Sequence, residues 1–457
     1  MIDFVDPTTP VWPVYVLAAK DGGAGGNLRV LGGVLLILGL GLLATSKTFY
    51  RFRRYHLFAR LISSGWPAIG VGILLGPAGF RVLDENIILQ VRPLLIVGLG
   101  WIGAIVGMQA RRELIARIPG VVWKWLVVDA IVTAVVFGVA TAFIVSSWIV
   151  HDGAAWIVAP VGMIVAASIG WAAETRSLMS DRGQEELRLA AVIQGSAGLA
   201  AIVSIFVFGL VSTGAHPNAS DDAAFVIPQA ALRLIASVVL AVGIGFVGRY
   251  LLRQVGRSRP DMLVIFFSMV TIVAGVAAEL NFSPLFSAML AGLVIANLGG
   301  TKLREFERFI LGAEQTAGTI FGLLAGILVI PSIGGWGWLL VAMITTARLS
   351  CKPLLTRFTL RRSPELLPAK SSLYVAPIRQ SLVAVAIAVS LVVSDASLFN
   401  RRLLTVIVMV ALLSEILPFV LTFVGGVRPA PFSRADAPAP EENPDETLSS
   451  PKGAARA

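Results

Sequence analysis

The chain has 457 residues, of which 56% are hydrophobic and only 14% are charged, and its formal net charge is +10. A soluble globular domain carries roughly 25% charged residues, so this composition excludes one. The basic residues lie in short segments between apolar runs, as is typical of the cytoplasmic loops of membrane proteins. The positive net charge is therefore not a sign of nucleic-acid binding. A single cysteine, Cys351, excludes an intramolecular disulfide, and no His/Cys spacing suggests a metal or cofactor site.

Apolar runs of about 20 residues recur along the chain, and each is long enough to cross a ~30 Å hydrocarbon core as a helix. We therefore predict an all-α polytopic membrane protein with about thirteen transmembrane helices. In chain order they cover residues 28–46, 58–78, 90–109, 120–148, 154–175, 188–213, 229–252, 261–278, 283–298, 310–330, 333–355, 372–393 and 403–426.

The loops between these helices differ in charge in a regular way. Basic loops, such as 47–54, 111–117 and 301–308, alternate with loops that lack Lys and Arg, such as 151–153 and 214–225. The positive-inside rule then places the N-terminus outside and the C-terminus in the cytoplasm of a cell inner (plasma) membrane. Residues 1–27 form an extracytoplasmic segment on this interpretation. Residues 427–457, rich in Pro, Ala and acid, form a disordered cytoplasmic tail.

The sequence offers no motif for catalysis. Residues 243–248, GIGFVG, match the dinucleotide-binding pattern but lie inside a predicted membrane span rather than between a strand and a helix. HExxH, GxSxG and phosphate-loop motifs are absent from the sequence. We therefore predict that the protein is not an enzyme.

Four segments carry a resemblance to a known family. They are GWPAIGVGILLGPAGF (65–80), LIVGLGWIGAIVGMQARRELI (95–115), SPLFSAMLAGLVIANL (283–298) and TTARLSCKPL (345–354). In this order and spacing they resemble the monovalent cation/proton antiporter superfamily, of the sodium/hydrogen exchanger type. The resemblance covers about residues 60–420.

The resemblance implies a fold of inverted repeats in a homodimer. A core bundle, about 120–213 and 333–426, would move against a scaffold, about 28–109 and 261–330, with a linker helix at about 229–252. Two discontinuous helices would cross at the bilayer midplane, and the fifth and twelfth spans are expected to be this pair. Pro377 removes a backbone donor, so a break at 376–380 is reasonable; an ordinary proline kink is the alternative.

In the family, the sixth helix carries an Asn-Asp or Asp-Asp pair whose carboxylate binds either the cation or protons. Here the equivalent residues are Gln194, Gly195 and Ser196, none of which titrates. In the fifth span, Ser168 loosely matches the family's Ser/Thr residues.

Charged residues at membrane depth are the other candidates for an ion or substrate site. Asp129 and Glu415 lie well inside predicted spans, where a charge costs roughly 3 kcal/mol or more. The deep bases are Arg379 and Arg348, with Lys352 one turn after Arg348. We predict a buried pair between Arg348 and one of the two acids, which either takes part in transport or only holds helices together.

Three functions remain open at this stage. The first is alternating-access exchange of a monovalent cation, Na⁺ or K⁺, for protons, with Asp129 or Glu415 replacing the missing acid. The second keeps the fold but carries an anion or another solute. The third is a non-transporting sensor. We favour the first, with the lipid bilayer, the cation and protons as partners and no nucleic acid.

Overall fold

The computed structural model describes residues 39, 66–80, 91–116, 118–148, 155–171, 184–214, 223–254, 259–298, 318–360, 376–395 and 397–424. Twelve α-helices of ten or more residues lie in these ranges. They are α1 (Trp66–Leu75), α2 (Arg92–Gln109), α3 (Gly120–Trp148), α4 (Ala155–Ile169), α5 (Gln184–Gly214), α6 (Ala223–Gln254), α7 (Arg259–Glu279), α8 (Pro284–Leu298), α9 (Gly318–Ile327), α10 (Gly334–Leu360), α11 (Leu382–Ser394) and α12 (Leu398–Val424).

Six of the described helices are long and apolar enough to cross a membrane: α2, α3, α5, α6, α7 and α10. Each predicted span from 58–78 onward overlaps one of the described helices. The predicted span 28–46, except Gly39, and both terminal segments, 1–27 and 427–457, lie outside the described residues. The described part of the chain therefore has the predicted all-α membrane architecture.

The connection between α7 and α8 shows how local sequence sets the helix ends. Asn281 adopts a left-handed φ of 57° and ends α7. The Phe282 N–H donates to the Ala277 carbonyl at 2.7 Å, and the Asn281 N–H donates to Ala278 at 3.1 Å, which together form a Schellman motif. Ser283 then caps the next helix, since its hydroxyl accepts from the Phe286 N–H at 3.3 Å, and Pro284 takes the first helical position.

Helices α2 and α8 pack at unusually short range. A first side-chain carbon at Gly103 would lie 2.2 Å from the Leu285 carbonyl oxygen, and one at Gly107 would lie 2.0 Å from that of Met289. Only glycine permits this approach, which matches the use of small residues at membrane helix interfaces. Asn297, at the end of α8, accepts from the Arg112 N–H and donates to the Ala110 carbonyl, fixing the end of α2.

Helix α11 lies at the centre of the largest apolar cluster. Ten of its 13 residues are buried, including the unbroken run from Val383 to Ser390. The cluster also includes residues from α1, α2, α3, α4, α5, α8, α9, α10 and α12. A helix that is apolar all round is buried on every side. The start of α11 is therefore held firmly in the middle of the protein.

Candidate functional site

Two extended segments, residues 170–171 after α4 and 379–381 before α11, meet at a point that we call the crossing. At 15 and 13 residues, these helices are shorter than the ~20 residues that a membrane crossing requires. Beyond the end of α4, Trp171 forms an antiparallel bridge with Gln380, which follows a 3₁₀ turn at Ala376–Ile378. The break predicted at 376–380 is therefore confirmed, and a simple proline kink is excluded. Residues 172–183 and 361–375, where the other halves of these helices are expected, lie outside the described residues.

The guanidinium of Arg348, on α10, donates hydrogen bonds to carbonyl oxygens of both extended segments and of the residues next to them. It is fully buried, and it donates to Ser168 O at 2.7 Å and Gly170 O at 3.3 Å on the α4 side. On the α11 side it donates to Pro377 O and Ile378 O, each at 3.2 Å, with Arg379 O at 3.5 Å. Carbonyls at a helix end have no intrahelical donor, and they carry the negative end of the helix dipole. One guanidinium therefore binds carbonyl oxygens of both extended segments.

The predicted pairing of Arg348 with a buried acid is wrong. Its five hydrogen bonds go to carbonyl oxygens, while each acid is bound by another base. The physical reason is that a guanidinium offers five donors in a fixed fork, which matches a cluster of unpaired carbonyls better than one carboxylate does. The sequence correctly marks Arg348 as buried but does not identify its partners.

Asp129 of α3 pairs with Lys352 of α10. The Lys352 Nζ donates to Asp129 Oδ2 at 2.6 Å, and both side chains are at most 3% exposed. The other carboxylate oxygen, Oδ1, is buried and has no hydrogen-bond partner within the described structure. By helical rise, Asp129 lies about 13 Å from the start of α3. The pair therefore joins two long helices inside the protein and leaves one acceptor open.

Two buried tryptophans join the first turns of α3 to the end of α4. Trp125 lies one turn before Asp129 on α3, and its ring centroid is 5.6 Å from that of Trp171. Both side chains are only 1% exposed, and they pack with residues of α5 such as Ile193 and Ala197. This apolar contact therefore joins α3, α5 and the end of α4.

Arg379 and Glu415 form a second ion pair at the crossing. The Arg379 Nε donates to Glu415 Oε2 at 2.8 Å, and its Nη2 donates to Oε1. The two side chains are 12% and 8% exposed. The pair ties the extended segment before α11 to α12. Both carboxylate oxygens of Glu415 are engaged, in contrast to Asp129.

The whole-chain comparison identifies the family. Residues 62–424 match the model for the transmembrane domain of the sodium/hydrogen exchanger, which covers more than three quarters of the chain. The chain belongs to the sodium/hydrogen exchanger family. It is therefore a multi-pass membrane transporter of the cation/proton antiporter class.

The fold is similar to that of solved members of this class. The structure of the sodium proton antiporter MjNhaP1 from Methanocaldococcus jannaschii at pH 8 superposes with a TM-score of 0.58 at 13% identity, covering 88% of this chain and 98% of that one. An electron-microscopy map of the same antiporter gives a TM-score of 0.57 at 12% identity, covering 88% and 97%. Among curated proteins, none matches the sequence significantly.

The non-titrating residues of α5, Gln194 and Ser196, make no hydrogen bond to the crossing segments within the described structure. Gln194 is exposed, and a side chain at Gly195 would meet Ile118 at 3.5 Å. The Ser196 hydroxyl donates within its own helix, to Ile193 O at 2.8 Å. Ser204, two turns further along α5, is the residue that reaches α4, where it donates to Ala166 O at 2.6 Å.

Three polar residues of the site are not among the sequence-predicted site residues, although Lys352 is recognised there as a deep base. They are Lys352, Ser204 and Ser381. A second base one turn after Arg348 in an apolar helix was a usable signal for Lys352, because buried bases are rare in membranes. Serines occur throughout packed membrane helices, so nothing distinguished Ser204 or Ser381.

Proposed function

We propose that this exchanger carries a monovalent cation against protons and that the Asp129–Lys352 pair performs the exchange. The observation that carries the proposal is the asymmetry of the Asp129 carboxylate, with one oxygen bound to Lys352 and the other buried without a partner. A buried acceptor without a partner is costly, so an arriving cation is stabilised by the open oxygen. No carboxylate of α5 is needed for this step.

The exchange follows from competition for one carboxylate. A cation that binds Asp129 takes the place of the Lys352 ammonium as counter-ion. An ammonium left without a counter-ion in a dry site is unstable, and lysine, unlike arginine, can release its proton. When the cation leaves, Lys352 takes up a proton and the ion pair forms again. Each cycle therefore exchanges one cation for one proton.

The two states of the site carry the same charge. With the ion pair formed, Asp129 and protonated Lys352 sum to zero. With the cation bound and Lys352 neutral, Asp129 and the cation also sum to zero. We infer that exchange through this pair alone is electroneutral.

The remaining features of the family complete the proposal. The core bundle, about 120–213 and 333–426, rocks against the scaffold, and the crossing moves with the core as a unit held by Arg348 and by the Arg379–Glu415 pair. We place the exchanger as a homodimer in the inner (plasma) membrane, with its N-terminus outside and C-terminus in the cytoplasm, because of the alternating basic loops. Its partners are then Na⁺ or K⁺ and protons, and it has no enzymatic activity.

The test is proton flux from purified protein in liposomes, with inward gradients of Na⁺, K⁺ or the inert cation choline. We expect Na⁺ or K⁺, but not choline, to drive protons out, and Asp129→Asn to abolish the response. The matched control is Asp261→Asn, which changes an exposed aspartate in the first turn of α7 and should leave the flux unchanged. Normal flux in Asp129→Asn would refute the proposal.

A further inference from the structure

The start of α8, in the proposed scaffold, contacts two helices of the proposed core. The ring of Phe286 is buried against α5, where a first side-chain carbon at Gly209 would lie 2.5 Å from it. Only glycine leaves room for the ring at this position. Ser283, which precedes α8, places its Oγ 3.4 Å from Ser390 Oγ of α11. Ser283 also accepts from the Phe286 N–H, so a single turn of α8 makes both contacts.

The face of α5 that carries Gly209 changes in burial along the helix. Residues three or four apart share one face of a helix, which here runs back from Gly209 towards the start of α5. Gly209 and Ile205 are buried. Gly198, whose first side-chain carbon would lie 3.2 Å from the Gln109 side chain of α2, is half-buried, and Gln194 is exposed. The core and the scaffold are therefore packed together at the end of α5 and less closely towards its start.

This difference between the two ends of α5 matters for a transporter that works by alternating access. Its site opens to one side of the membrane at a time, so a contact between core and scaffold that is closed in one state must separate in the other. The loop after α5, residues 214–225, lacks Lys and Arg, which places the end of α5 on the extracytoplasmic side in the proposed orientation. The contacts at the start of α8 then close the protein towards the outside.

We propose that the Gly209–Phe286 and Ser283–Ser390 contacts form the extracytoplasmic gate and separate once in every transport cycle. This inference rests on the proposed function and names the residues that close the outer side. Both contacts are suited to separation. The Phe286 ring lies on a glycine, so no side chain interlocks with it, and two hydroxyl oxygens 3.4 Å apart are beyond the usual O–H···O distance. Neither contact involves an ion pair.

The experiment joins the gate with a disulfide in the full-length protein. The parent is Cys351→Ser, which removes the single native cysteine. Because the Ser283 and Ser390 hydroxyl oxygens are close, copper phenanthroline should cross-link Ser283→Cys/Ser390→Cys in this parent. Cation-driven proton flux in liposomes should then fall in proportion to the cross-linked fraction and return when dithiothreitol reduces the disulfide. Full flux in the cross-linked protein, or no cross-link in the folded protein, would overturn the proposal.

Two controls show whether the loss belongs to the gate. The single variants Ser283→Cys and Ser390→Cys have no second thiol, so the oxidant should leave their flux unchanged. Gly138→Cys/Val165→Cys places a comparable pair inside the proposed core, between α3 and α4, where a first side-chain carbon at Gly138 would lie 3.4 Å from Val165. Cross-linking this pair should not affect flux, because α3 and α4 move together. An equal loss in this pair would contradict a role specific to the gate.

A second measurement does not depend on cation exchange. Ser390 is 0% exposed, yet Ser390→Cys in right-side-out membrane vesicles should react with a membrane-impermeant maleimide, because opening of the gate exposes it. The matched control is Ser414→Cys, since Ser414 is 1% exposed and bonds within α12; it should not react. No reaction at Ser390→Cys would overturn the gate. Reaction there, in a parent protein that shows no cation-driven flux, would support the gate and refute cation/proton exchange.

Discussion

The two ion pairs of the core look alike in composition but differ in what they can do. Asp129 is held through one oxygen by a lysine, a flexible point charge that can lose its proton. Glu415 is held through both oxygens by Arg379, whose guanidinium remains protonated at any pH a protein tolerates. One pair can therefore open and change protonation, whereas the other is a fixed connection between the crossing and α12. In the proposed mechanism, the identity of the base, rather than the depth of the acid, distinguishes the exchange site from the structural pair.

The largest expected difference between the pairs is in transport. Asp129→Asn should lower cation-driven proton flux by about 100-fold or more, the scale on which loss of a positioned proton-transfer group acts. Glu415→Gln should lower it far less, by about tenfold or less, because that carboxylate only positions the crossing. Flux in liposomes containing equal amounts of folded protein measures both. Equal losses in the two variants would remove the distinction.

The second difference is in stability. Glu415→Gln leaves Arg379 without its counter-ion and should destabilise the protein by about 3–5 kcal/mol, the range found when one partner of a buried pair is removed. The double variant Arg379→Gln/Glu415→Gln should recover part of this loss, since no uncompensated charge remains. Thermal melting in detergent, followed by intrinsic fluorescence, gives the comparison. A double variant less stable than Glu415→Gln would show that the pair is not the source of the effect.

The smallest expected effect is that of membrane potential on exchange. Because the Asp129–Lys352 pair carries no net charge in either state, clamping the potential with K⁺ and valinomycin should change the rate of Na⁺-driven exchange little. Proton flux at imposed potentials of either sign measures this. A strong acceleration by inside-negative potential would mean that a further group, with Glu415 the first candidate, moves charge in the cycle.

The sequence predicts the membrane spans well because a run of about 20 apolar residues matches the length of a helix that crosses the hydrocarbon core. The break at 376–380 was also predictable, since Pro377 disturbs its predecessor and removes a donor. Asp129, Glu415, Arg348 and Arg379 were found because charges at membrane depth are rare.

The pairings could not be read from the sequence. They depend on the rotation of each helix about its axis, and in a helix that is apolar on all sides no amphipathic pattern fixes that rotation. The sequence therefore predicts an acid as the partner of Arg348, whereas the structure shows carbonyl oxygens of two extended segments. For the same reason, the sequence did not show that Ser204 is the residue of α5 that donates a hydrogen bond to α4.

The most direct test of the exchange mechanism is cation-driven proton flux in Lys352→Arg. Arginine preserves the positive charge and can bind Asp129, so the protein should fold with a melting temperature close to that of the wild type. It cannot release a proton, so the account predicts that exchange falls to the level of empty liposomes. Substantial exchange in a folded Lys352→Arg protein would contradict the claim that this lysine carries the proton.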